Sequence, residues 1–282
     1  MSSRVVSRAP VDIRRLFVAA GLLLAAAIMA FAGSARADSS AWDDIRAELY
    51  GAGQTFEPAD GIIELEAPYR ALDASTVPIT VTARIPQSEA RYIRSLTLIV
   101  DENPAPIVGT FHFSPANGIA SISTRVRVNA YTNIRAIAET NDGRHYMAAE
   151  YVKASGGCSA PAGSDQELAM ARMGKMKLRQ LGDWRQNELS EAQFQVSHPN
   201  YSGFQQDQVT QLWIPAHYVR SIELSLGGRE ILRFDGDISI SENPTFRFFV
   251  KPQGSEMLHA RVVDSEDEVF EQSWPVQVEP SS

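Results

Sequence analysis

Apolar and polar residues alternate along most of this chain with a period of two, the signature of strands buried on one face. The clearest run is Val77, Ile79, Val81, Ala83 and Ile85. Further strand-like stretches follow at Ile93–Val100, Ile107–Phe113, Ile122–Val128 and Ile134–Ala138. Asn141-Asp142-Gly143 then predicts a hairpin turn, because Asp-Gly accepts positive φ, and the chain returns through His145–Val152. One earlier stretch has a different period. Trp42, Ile45 and Leu49 fall at i, i+3 and i+7, which predicts a short helix over Ala41–Leu49, stopped by Gly51 and Gly53. About seven short strands separated by Gly, Pro and Asn turns predict a β-sandwich.

The second half repeats the plan. Lys175–Leu181 and Ala192–Ser197 are strand-like, and Phe246–Val250, Met257–Val263 and Val269–Val278 complete about seven strands. Tyr218-Val219-Arg220-Ser221-Ile222-Glu223-Leu224 echoes Tyr92-Ile93-Arg94-Ser95-Leu96-Thr97-Leu98 at an offset of 126 residues, from 92 to 218. Glu167–Met173 reads as one or two helical turns. The predicted fold class is all-β, with two related sandwich domains and a short N-terminal helix.

Between the halves lies Ala154-Ser155-Gly156-Gly157-Cys158-Ser159-Ala160-Pro161-Ala162-Gly163, which holds the single cysteine of 282 residues. It has no apolar periodicity, so it reads as a flexible linker over 156–166. With Gly, Gly, Ser and Ala as neighbours, Cys158 is expected to be accessible. Two readings follow: a thiol tethered for partner proteins to modify, or a surface linker that contains a cysteine. No second cysteine is present for an intramolecular disulfide, a C-x-x-C or a C-x-x-C-H haem site. The five histidines are scattered, without metal-ligand spacing, and each reads as a surface or hydrogen-bonded structural residue. No nucleophile–base–acid set is legible, so no catalytic residue, metal or cofactor is expected.

The N-terminus changes the picture by setting a compartment. Arg14-Arg15 leads into an apolar run, Ala19 to Phe31, and then into Ser34-Ala35-Arg36-Ala37, an A-x-A cleavage site. This predicts an export signal over 1–37, with an arginine pair suited to the twin-arginine route, and hence a periplasmic protein. The domain division is then 1–37 leader, 38–155 first domain, 156–166 cysteine-bearing linker and 167–282 second domain. The formal charge is −8; the leader's five arginines and one aspartate carry +4, so its removal leaves −12. So acidic a chain is a poor partner for nucleic acid or an anionic membrane surface.

Several motifs together resemble a known family. Val77-Pro78-Ile79-Thr80-Val81, Asn103-Pro104-Ala105-Pro106 with Phe111, and Gly156-Gly157-Cys158 look like the SoxY subunit of the thiosulfate-oxidation carrier. His198-Pro199, Ile214-Pro215-Ala216-His217-Tyr218 and Ser241-Glu242-Asn243-Pro244 look like its partner, SoxZ. The chain therefore resembles a fused SoxYZ-like carrier of the kind associated with quinoprotein dehydrogenases. That resemblance implies immunoglobulin-like sandwiches and twin-arginine export. It also implies covalent attachment of a sulfur-containing intermediate at Cys158 in the carrier loop Gly156, Gly157 and Ser159. The implied partners are periplasmic sulfur-oxidation enzymes, or a quinoprotein dehydrogenase and its cytochrome. In the family the arm ends the SoxY chain with two more glycines; here Ser159-Ala160 stand in their place and the chain continues. The four residues Ala154–Gly157 extend at most roughly 13–14 Å, so an internal loop reaches less far than a free tail. Three classes stay open: a covalent sulfur carrier, a non-covalent accessory or docking subunit, and a sulfur-oxidising enzyme.

Overall fold

The computed structural model describes residues 40–51, 53–161 and 166–279. The leader read over 1–37 and its arginine pair lie outside the described residues, as do residues 162–165 of the linker. The described chain opens with α1 (Ser40–Tyr50), which buries Trp42 and Ile45 as their spacing predicts, while Leu49, the third residue of that expected face, is exposed near the helix end. They pack with Ile99 and Ile137 in a small cluster apart from the main core. The Arg135 guanidinium lies 4.4 Å from the Trp42 ring centroid. Gly51 ends the helix at φ 81°, donating its N–H to the Ala47 carbonyl at 3.1 Å.

The first half contributes β1 (Glu57–Pro58), β2 (Ile63–Glu66), β3 (Val77–Ala83), β4 (Ile93–Val100), β5 (Ile107–His112), β6 (Ile122–Val126), β7 (Thr132–Thr140) and β8 (His145–Val152). After α2 (Gln166–Ala171), the second half contributes β9 (Met176–Leu181), β10 (Ser190–Val196), β11 (Val219–Leu226), β12 (Arg229–Gly236), β13 (Thr245–Val250), β14 (Met257–Asp264) and β15 (Val269–Pro275). The alternation read from the sequence is the observed burial: Val77, Ile79, Val81 and Ala83 face the core and their neighbours face out. Among the described residues no helix is long and apolar enough to cross a membrane.

The strands form two sheets, ordered β1-β8-β7-β4-β5-β12-β11-β14-β15 and β2-β3-β6-β13-β10-β9. Leaving out the two-residue β1, both orders read the same from either end if β2–β8 are matched with β9–β15. Each half is thus a seven-stranded sandwich of one topology, and β4 and β11, which carry the sequence echo, hold equivalent places.

The two sandwiches, joined in sequence by the segment 156–166, also meet directly. β5 pairs antiparallel with β12, and β6 with β13, so both sheets run unbroken across the junction. At its centre Phe111 stands opposite Phe234, with ring centroids 4.6 Å apart, and Phe246 lies 5.0 and 4.8 Å from the two. Gly109 admits the Phe234 ring; a Cβ there would come within 2.6 Å of the Asp235 carbonyl oxygen. A single buried cluster spans both halves. The physical reason is that β5, β6, β12 and β13 would otherwise be bare sheet edges, and pairing satisfies their main-chain groups.

Candidate functional site

The cysteine segment leaves β8 and is laced down by main-chain hydrogen bonds at once. Lys153 donates to the Tyr69 carbonyl at 2.8 Å, Gly156 to Asn129 at 2.9 Å and Gly157 to Val128 at 3.0 Å. Gly156 sits at φ 79°, a conformation that favours glycine. Gly157 is needed for a different reason: a Cβ would run into the Ala74 carbonyl and lie 2.7 Å from that of Val128. Ser159 closes the turn, its N–H reaching the Gly156 carbonyl at 3.2 Å. The second half covers the segment from above. Ser202 Oγ donates to the Cys158 carbonyl, and Gln205 Nε2 donates to that of Ala160 at 2.8 Å.

Cys158 is in consequence fully buried, at 0% exposure. The expected accessible thiol on a flexible loop is therefore corrected. Small neighbours expose a cysteine only if nothing else covers them, and here residues 200–205 do. Burial pushes the thiol up to about 11, and Arg127, acting in the opposite sense, only partly offsets it. In this closed position the sulfur is a poor nucleophile, since the thiolate is the attacking species.

Arg127 is the site residue that the sequence reading missed. It follows β6 in the polar phase of the alternation and would be assigned to solvent. Instead it is 2% exposed, caught between the two halves. Its Nη1 donates to the Gly157 carbonyl at 3.2 Å and its Nη2 to the Asn200 carbonyl at 2.9 Å. Asn103 supports it from below: Nδ2 donates to the Arg127 carbonyl at 2.8 Å and to Ser239 Oγ at 2.9 Å, and Oδ1 accepts from the Asn129 N–H at 2.8 Å. The motif residue Asn103 thus ties the floor of the cysteine segment to the second half.

His198 and His217, read as scattered, are brought together with Asp264. The two rings lie 4.8 Å apart and perpendicular, and all three residues are buried. His217 Nε2 is 2.8 Å from Asp264 Oδ2, and His198 Nε2 is 3.6 Å from the same oxygen. These three could be mistaken for a metal-ligand set. However, His198 Nδ1 accepts the Asn200 N–H at 3.1 Å, which leaves the proton of a neutral ring on Nε2. A ligating histidine needs the reverse arrangement, so the donor set suits a clasp rather than a metal. Burial raises the Asp264 carboxyl, but hydrogen bonds from His217 and the Glu268 and Glu266 N–H groups outweigh that, and the net shift is downward. The cluster brings the two ends of residues 198–217 together, His217 by its hydrogen bond to Asp264 and His198 by packing beside it with Nε2 unbonded; this segment carries Asn200, Ser202 and Gln205.

The clasp makes the protein sensitive to acid. Burial first, and repulsion from His217 second, push His198 down to about 4 from an ordinary 6.5. The unfolded chain therefore takes up a proton below pH 6.5 that the native chain refuses until about pH 4, so stability falls as pH falls through that window. The expected loss is roughly 3 kcal/mol in total. Urea midpoints of wild type and His198→Gln at pH 7.5 and 4.5 check it: the variant should lose much less on acidification. Equal losses would mean that other groups govern acid stability.

Two family models match the chain in tandem. That for the sulfur oxidation protein SoxY matches residues 46–158, and that for the sulphur oxidation protein SoxZ matches residues 179–275. Among solved structures, the chain is similar to the sulfur carrier protein SoxY from Chlorobium limicola f thiosulfatophilum: identity is 25%, with 41% of this chain and 92% of that one covered, at a TM-score of 0.34. It also matches a superoxide reductase (neelaredoxin) from Ignicoccus hospitalis, at 18% identity over 33% of this chain and 79% of that one, with a TM-score of 0.30. No curated protein matches the chain.

Proposed function

Because the chain is a SoxY domain followed by a SoxZ domain in one polypeptide, the make-up of a sulfur-oxidation carrier, we propose that it carries a sulfur-containing intermediate covalently on Cys158. The observation that carries this reading is the housing built around one thiol. Gly157 is required by close packing, and Arg127, Ser202 and Gln205 all converge on the segment from Gly157 to Ala160. A merely permissive linker needs none of these contacts.

In loading, a sulfur anion R–S⁻ joins the thiol as Cys158–S–S–R. The thiol releases one proton, and two electrons pass to the acceptor of a partner oxidoreductase of sulfur oxidation. The closed segment must open for this, breaking five or so hydrogen bonds at a cost of a few kcal/mol, which partner binding offsets. Closure then shields the product from stray thiols. The chain itself supplies carriage rather than catalysis. The leader supports export to the periplasm, where a partner oxidoreductase, or a quinoprotein dehydrogenase with its cytochrome, would meet it.

Cys158→Ala tests the reading. It should fold with an unchanged sheet structure and abolish sulfur-dependent electron delivery to the partner chain in cells. A second reading has its own support. Val209, Leu212 and Trp213, on the segment that covers Cys158, are 90%, 68% and 64% exposed. They offer an apolar surface by which a docking subunit would serve a dehydrogenase without using the thiol. Full activity of Cys158→Ala would select that alternative.

A further inference from the structure

Arg127 does more than join two carbonyls. A guanidinium presents five N–H donors. Nη1 and Nη2 contact Gly157 and Asn200, yet Nε is buried with no hydrogen-bond partner. An unmatched donor on a fully desolvated cation is costly to keep. Its formal charge is also without a close counter-ion. The carboxylates that act on it are Glu242 and Asp73, and neither forms an ion pair with it. Asp73 is exposed and already accepts from the Ser75 N–H, Ser75 Oγ and Thr76 Oγ1. Among the ionisable groups around Arg127, the Cys158 sulfur acts on it most strongly once it bears negative charge, and as the neutral thiol of the closed site it supplies none.

The geometry points to Arg127 as the specificity residue for the cargo: its free donor and unbalanced charge receive negative charge borne on Cys158, so the site closes preferentially over an anionic sulfur group. Neutral cargo of the same size leaves the cation buried without a counter-charge, and cationic cargo repels it. The inference names the charge class that a carrier of this build retains. It rests on the carrier reading, but its test loads the thiol by hand. Failure here leaves native loading of Cys158 standing, and absence of native load leaves the anion site standing.

The thiol is modified in urea with methanethiosulfonates that leave a sulfonatoethyl, a propyl or a trimethylammonioethyl group, and the full-length protein is refolded. Release by dithiothreitol is then timed, each rate normalised to that of the same adduct in the unfolded chain. The sulfonatoethyl adduct should be released at least about tenfold more slowly than the propyl adduct, and the cationic adduct fastest of the three. In Arg127→Met the anionic advantage should vanish, and in Arg127→Lys part of it should persist. Equal normalised rates for the three adducts in wild type would overturn the assignment, with no variant needed. So would an anionic advantage that survives in Arg127→Met.

Discussion

Native Cys158 should react with iodoacetamide at least about 100-fold more slowly than the same thiol in the urea-unfolded chain. Burial acts in this direction in two linked ways. The closed site holds the thiol at about 11, against an ordinary value near 8.5–9, so at pH 8 the thiolate fraction is lower by roughly two decades. The sulfur also has no exposed surface, so reagent gains access only through opening of the segment. Gly157→Ala should largely remove this protection. Its Cβ meets the Ala74 and Val128 carbonyls, main-chain atoms that cannot swing aside. The segment then cannot seat, while the sheets, whose strands lie elsewhere, keep their stability. Gly156→Ala provides a graded control. Its Cβ meets nothing nearer than Ser159 Oγ at 4.0 Å, and it suffers only from the positive φ. That costs about 1 kcal/mol, or roughly a fivefold rise in rate. Stopped-time alkylation followed by mass spectrometry reads all three proteins. A native rate equal to the unfolded rate would show that Cys158 is not shielded.

The closed state gives the fused architecture a physical meaning. A free tail can leave its protein and enter another. An internal loop held at both ends has less reach, and here the second half also lies over it. The second-half contacts to the cysteine segment come from Ser202 and Gln205, and Asn200 joins them through Arg127; all three residues lie between His198 and His217, which meet at Asp264. A partner that displaces this cover exposes the thiol. Its most exposed apolar residues, Val209, Leu212 and Trp213, lie on the same segment.

What could be read from the sequence is what has a local period. Val77, Ile79, Val81 and Ala83 alternate because one sheet face is buried, and Trp42 and Ile45 recur because one helix face is. The echo of Tyr92–Leu98 in Tyr218–Leu224 was legible because β4 and β11 occupy equivalent places and meet equivalent packing. The continuous pairing of the sheets across the junction was not legible. β5 meets β12 through main-chain hydrogen bonds, which leave no trace in side-chain pattern; the paired glycines Gly109 and Gly236, both against the Phe234 ring, mark it. The burial of Cys158 was hidden for a related reason. Its neighbours are small, and the groups that bury it lie more than 40 residues away, at Asn200–Gln205. Arg127 kept the polar phase of its strand, so no local signal separated it from the half-exposed Arg125. Metal-like spacing was absent from the histidines because His198, His217 and Asp264 meet across three separate segments.

The most direct test of covalent carriage is the intact mass of the protein recovered from its native host during growth on oxidisable sulfur. The account predicts a fraction heavier than the unmodified chain, with the whole increment on the peptide containing Cys158. Strong reductant applied after unfolding should remove it, whereas the same reductant applied to the folded protein should remove it far more slowly. Protein that is unmodified at Cys158 in every such preparation, or that carries its sulfur elsewhere, would contradict the account.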